Sequence, residues 1–125
     1  MNLASKIMKL ETSLTNDDFY PETGTILIMS EGGVETIESW EHSTVNQPSQ
    51  SAIDGISDST ITDEQNIAAL RAERNVKLAE SDWLVTMHKE KGTNIPTAWK
   101  TYRQALRDIT DSATSLSDVT WPEKP

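Results

Sequence analysis

Apolar residues return at helical spacing near the start of the chain, where Leu3, Ile7 and Leu10 fall at i, i+4 and i+7 and predict a short amphipathic helix. The pattern then changes. Thr25-Ile-Leu-Ile-Met-Ser30 is dense in β-branched and apolar residues, Glu31-Gly32-Gly33 supplies a glycine turn, and Val34–Trp40 alternates imperfectly through Val34, Ile37 and Trp40. Together they predict a β-hairpin. Pro48 closes the segment, because proline cannot donate to a ladder and holds Gln47 extended.

From Ser49 to Thr62 the chain is mostly Ser, Asp, Gln, Gly and Thr, with Ile53, Ile56 and Ile61 as its large apolar residues. This reads as a polar linker with a short helical turn over residues 51–56. Thr62-Asp-Glu-Gln65 fits a capping box, with two acids where the helix dipole favours them, so a helix is predicted to begin there. It runs through Ile67, Leu70, Arg74, Leu78 and Val85 without Gly or Pro until Gly92, a span of about seven turns. Arg71, Arg74 and Lys77 border its narrow apolar stripe, and their long stems suit packing against another helix. Gly92-Thr-Asn-Ile-Pro96 ends it, with Asn94 or Thr93 as the next cap and Pro96 at or near the first helical position. A second helix sets Trp99, Tyr102, Leu106 and Ile109 on one face, and the short turn between the two implies an antiparallel hairpin. After Thr110 a loop is predicted over 111–118, and the two prolines of Val119–Pro125 require an extended tail.

The fold class expected is therefore α+β: a small β-containing N-terminal region (1–50), a polar linker (51–62), and a helical-hairpin domain with an extended Trp-Pro tail (63–125). At 125 residues the chain supports one core, or two small ones. Its charge is uneven. The formal net charge is -9, with two lysines against ten acids in residues 1–62 and nine basic residues against ten acids in 63–125. An acidic surface repels phosphate backbones, which argues against nucleic acid as a partner. No apolar run approaches the ~18 residues of a membrane span, and residues 1–10 lack a signal-like apolar stretch, so a cytoplasmic, non-membrane protein is expected.

Chemistry is hard to place in this sequence. There is no cysteine, which excludes disulfides, thiol nucleophiles and cysteine zinc sites. His42 and His88 have no second histidine near them, whereas a metal needs three or four converging ligands. Asp17-Asp18 with Glu22 lacks the alternation of a calcium loop, Gly32-Gly33 is a turn rather than a phosphate cradle, and no serine sits in a nucleophile elbow. Carboxylates such as Glu38 and Glu41 read as solvated charge. The expectation is a non-enzymatic protein with no metal and no cofactor. Two sets of residues suit binding instead. Arg71 and Arg74, and Arg103 and Arg107, form pairs on helix faces that either bond to acids within the hairpin, such as Asp82 or Asp108, or offer a basic docking face. Trp83, Trp99, Tyr102 and Trp121 are expected to form one structural aromatic cluster, while Trp40 in the hairpin is a candidate binding anchor.

The order Arg71, Arg74, Leu78, Asp82-Trp83, Trp99, Tyr102-Arg103, Leu106-Arg107-Asp108 and Trp121-Pro122 resembles the tail assembly chaperone and tail-fibre assembly families of bacteriophages. A weaker N-terminal resemblance, to small phage tail proteins, rests on Ile7-Met8, Asp18-Phe19, Ile37-Glu-Ser-Trp40 and Gln47-Pro48-Ser49. The chain departs from many of these relatives after Asp82-Trp83, where Leu84-Val-Thr-Met-His-Lys replaces a turn containing proline and aspartate. The resemblance implies a protein with no catalytic residues that binds a phage tail-fibre or other tail protein in the host cytoplasm and aids its folding, trimerisation or attachment. The alternative it leaves open is a structural component retained in the virion. Partner identity, stoichiometry and oligomeric state stay open.

Overall fold

The imperfect alternation of the hairpin has a structural cause. In the computed structural model, which describes residues 2–125, strands β1 (Ile26–Glu31) and β2 (Val34–Trp40) pair antiparallel, with Gly32 and Gly33 both at positive φ in the turn. Two successive positive-φ residues suit a tight turn whose twist matches the strands. Ile28 opposes Ile37 and Leu27 opposes Ser39, so Glu38 is an extra residue, a β-bulge. The bulge shifts the phase of β2 by one. Ile37 and Trp40 thereby face the same side as Ile28 and Ile26, although they are three residues apart.

That side closes the core of the first of two compact units, Met1–Thr62. Helix α1 (Leu3–Leu10) spans the residues expected of it and buries Leu3 and Ile7 against Leu14, Ile26 and Ile53, with Phe19, Ile28, Ile37, Trp40 and Val45 packed around them. The start of α1 is finished by the sheet rather than by its own sequence. Asn2 makes no side-chain cap, and the backbone N–H of Leu3 donates instead to the Glu35 carboxylate at 2.8 Å. A carboxylate there satisfies an orphan donor and meets the positive end of the helix dipole. A 3₁₀ turn (Asn16–Phe19), held by a Thr15/Asp18 capping box, leads into β1.

The polar stretch after the hairpin is more ordered than its composition suggests. Ser49 caps α2 (Gln50–Asp54), which buries Ile53, and the long helix α3 (Asp58–Ala79) starts four residues before the expected Thr62. The Ser57 hydroxyl accepts from the Thr60 N–H and so takes the capping role, while Lys6 bonds Asp58 at 2.8 Å and Ile61 is buried in the first turn. The boundary between the two units falls within α3, between Thr62 and Asp63.

In the second unit, Asp63–Pro125, the one long helix expected up to Gly92 is interrupted. α3 ends at Ala79 and α4 (Asp82–Lys91) begins after a tight turn at Glu80 and Ser81. Gly92, at φ 67, ends α4 with the N–H groups of Gly92 and Thr93 bonded to the carbonyls of Lys89 and His88, a Schellman motif. Pro96 is the N-cap of α5 (Thr97–Arg107), so proline precedes the first helical residue, and α6 (Ile109–Ser112) adds a turn where loop was expected from Asp111. Leu70, Ile109 and Ala113 form the buried cluster, with Val119 and Trp121 of the tail packed on it. Bonds from Arg74 to Arg107 and from Arg103 to Leu78 run in opposite order along the two chains, which makes α3 and α5 antiparallel. The molecule is α+β, a β-hairpin followed by a bent helical hairpin.

Leu106 is fully buried on α5. Leu106→Ala should cost about 2–5 kcal/mol of stability. Urea unfolding followed by far-ultraviolet circular dichroism measures it.

Candidate functional site

The interruption at Glu80–Ser81 leaves the last carbonyls of α3 without helical partners. Arg103 supplies one. Its Nη1 donates to the Leu78 carbonyl at 2.8 Å and to the Ser81 Oγ at 2.6 Å, and its Nη2 donates to Asp82 Oδ1 at 2.8 Å. The Leu78 carbonyl also accepts from the Ser81 backbone N–H and hydroxyl. Ser81 is 1% exposed, and the Arg103 side chain 12%. The guanidinium thus sits at the negative end of α3 while holding an acid in the first turn of α4, both favourable placements.

The other arginines are less committed. Arg74 donates to Asn75 Oδ1 at 2.9 Å and to the Arg107 carbonyl at 3.5 Å. Arg107 is exposed and donates to Gln104 Oε1 at 3.2 Å, and Gln104 in turn donates to Asp108 at 3.0 Å. Arg71 is exposed and borders a shallow surface shared with Asp63, Glu64 and Ile67. Arg103 is thus an internal clamp and Arg107 stands at the surface, and both line the groove along α5.

The aromatic residues also divide. Trp99 and Tyr102 meet edge to face, with centroids 5.9 Å apart, and burial raises the Tyr102 pKa above its usual value. Trp121 packs on the Leu70 cluster with the Lys77 ammonium 4.9 Å over its ring. Lys124 lies 3.8 Å from Glu80, so the tail runs beside α3 in the same direction, 121 by 77 and 124 by 80. Trp83 departs from the expected cluster and is 63% exposed. The reason is its phase. From Leu70 to His88 the buried or half-buried positions are Leu70, Arg74, Lys77, Leu78, Ser81, Leu84, Val85, Met87 and His88, whereas Trp83 lies with the exposed Ala79, Glu80 and Thr86, three or four residues away from it. Hydrophobicity suggested a core tryptophan, whereas spacing from Leu70 and Leu84 puts it outside.

Trp40 is half-buried in the first core, and its Nε1 donates to the Val45 carbonyl at 2.8 Å. Its ring is part of the fold. Both histidines are occupied in turns: His42 Nδ1 accepts from the Thr44 and Val45 N–H groups, which leaves its Nε2 3.6 Å from Asp18, and His88 Nδ1 is 2.7 Å from the Thr93 hydroxyl. Among the described residues no group of His, Asp and Glu is arranged to hold a metal ion, and no helix is long and apolar enough to cross a membrane.

An open groove of about 750 Å³ lies along α5, lined by Val85 and Ile95 together with Lys100, Arg103, Gln104 and Arg107. A smaller depression of about 330 Å³ around the α4–α5 turn shares Ile95 and Lys100 with it and adds His88 and Lys89. Neither is legible from sequence, since the lining residues come from α4, the turn after it and α5.

Residues 67–125 match the family model described as phage tail assembly chaperone protein. The match runs from α3 to the end of the tail and contains the Arg103 clamp, the Trp99–Tyr102 pair and the groove. No curated protein and no solved structure matches the chain.

Replacing Arg103 by Met should lower stability by about 1–3 kcal/mol, because buried Ser81 and the Leu78 carbonyl lose a charged donor. Arg107→Met should change it by less than about 0.5 kcal/mol. Thermal unfolding of the two variants side by side separates the clamp from the surface residue, and equal losses would contradict the assignment.

Proposed function

We propose that the protein is a phage tail assembly chaperone that works by binding and not by covalent chemistry. The observation that carries this reading is the family match over residues 67–125. Its client in this reading is a tail-fibre or other tail protein, held in the host cytoplasm until its own subunits pack together. Exposed apolar side chains suit such a role. Val76 and Trp83 are 54% and 63% exposed on the second unit, and a rigid tryptophan is a strong anchor for a partner. Arg107 and Lys100 would add charge beside the α5 groove. Arg103 and Trp40, engaged within their own units, would support the binding unit or the first core rather than touch a client.

Co-expression with a tail or tail-fibre protein of the same phage tests the reading. The client's soluble, correctly assembled yield should rise when this protein is present, and Trp83→Ser should reduce the gain while leaving the fold intact. Unchanged yield with and without the protein overturns the chaperone role. Stoichiometric recovery of the protein from purified particles by mass spectrometry would favour a structural virion component instead.

A further inference from the structure

We infer that the α4–α5 groove is a docking site for an acidic, apolar-anchored peptide segment of the client, an inference that rests on the chaperone reading. The chain as a whole is strongly acidic, yet from Val85 to Asp108 it carries five cations, Lys89, Lys91, Lys100, Arg103 and Arg107, against two acids, Glu90 and Asp108. This basic island coincides with the groove and its neighbouring depression, which share Ile95 and Lys100.

Helix electrostatics account for part of the island. Lys89 and Lys91 lie in the last turn of α4, and Arg107 in the last turn of α5, where the dipole favours cations. Arg103 is consumed by the clamp. Lys100 has no such account. It stands in the first turn of α5, the positive end, where no acid is present to offset it. A cation kept at the wrong end of a helix dipole, in a groove that Val85 and Ile95 also line, fits recognition of a carboxylate beside an apolar side chain. Asp108, at the edge of the same groove, already accepts two bonds from Gln104 Nε2, at 3.0 and 3.1 Å. Asp108 is the one acid among the residues that line the groove, against Lys100, Arg103 and Arg107, so an anionic occupant would meet an excess of positive charge. Charge of one sign on a concave surface also speeds encounter with a partner of the other sign.

Fluorescence anisotropy with the full-length protein provides the test. The probe is a fluorescein-labelled peptide built from repeats of Glu-Leu-Asp-Glu, compared with versions carrying Lys for the acids or Gly for the leucines. Only the first should bind well, and added salt should weaken it. The double variant Lys100→Glu/Arg107→Glu should weaken binding by about tenfold or more with an unchanged melting temperature, whereas Arg71→Glu, beside Asp63 and Glu64, should leave it within about twofold. Equal weakening by both variants would reduce the effect to net charge and overturn the site. So would failure of the acidic peptide to bind, a preference for a single-stranded oligonucleotide through the same residues, or self-association lost in the double variant, which would make a second copy the occupant. Absence of peptide binding alongside an intact co-expression gain would remove this site and leave the chaperone role standing. Loss of the gain with peptide binding retained would do the reverse.

Discussion

The second unit depends on one guanidinium. Arg103 bonds the end of α3, the turn residue Ser81 and the first turn of α4 at once, and so joins three elements that the sequence keeps 21 to 25 residues away from it. A helix of this length could have run on to Gly92, for no glycine or proline interrupts it. The interruption is tolerated because the Leu78 carbonyl is given a charged donor and the buried serine a partner. With those in place, Leu84 continues the covered stripe begun at Leu70, and α5 is held antiparallel along α3.

What could be read from sequence was set by neighbours in the chain. α1, the glycine turn, the termination at Gly92 and the absence of helix from the tail follow from spacing, positive φ and proline, all local properties. The misplaced features depended on distant residues. The start of α3 moved to Asp58 because Ser57 offered an earlier cap, Lys6 a partner and Ile61 a reason for burial, whereas Thr62–Gln65 offered a capping box alone. The end of α3 was invisible because its donor arrives from α5.

The candidate site divides in the same way. Residue type alone does not decide between internal pairing and display for the arginines, since Arg103 and Arg107 lie one helical turn apart and have different neighbours. Trp83 was assigned by hydrophobicity to a core from which its phase excludes it. The groove needs walls from α4, the turn and α5, so only the folded chain brings Ile95 to Lys100 and Val85.

The bulge at Glu38 has a meaning beyond the packing of Trp40. A two-stranded ribbon leaves both outer edges unpaired, and such edges invite pairing with any extended chain nearby. Here one edge is broken by an inserted residue that is itself an acid, and Glu31, Glu35 and Glu41 add further negative charge along the ribbon. The same residue that brings Ile37 and Trp40 into phase thus makes the ribbon a poor template. The device that completes the first core also guards it against becoming a strand in someone else's sheet.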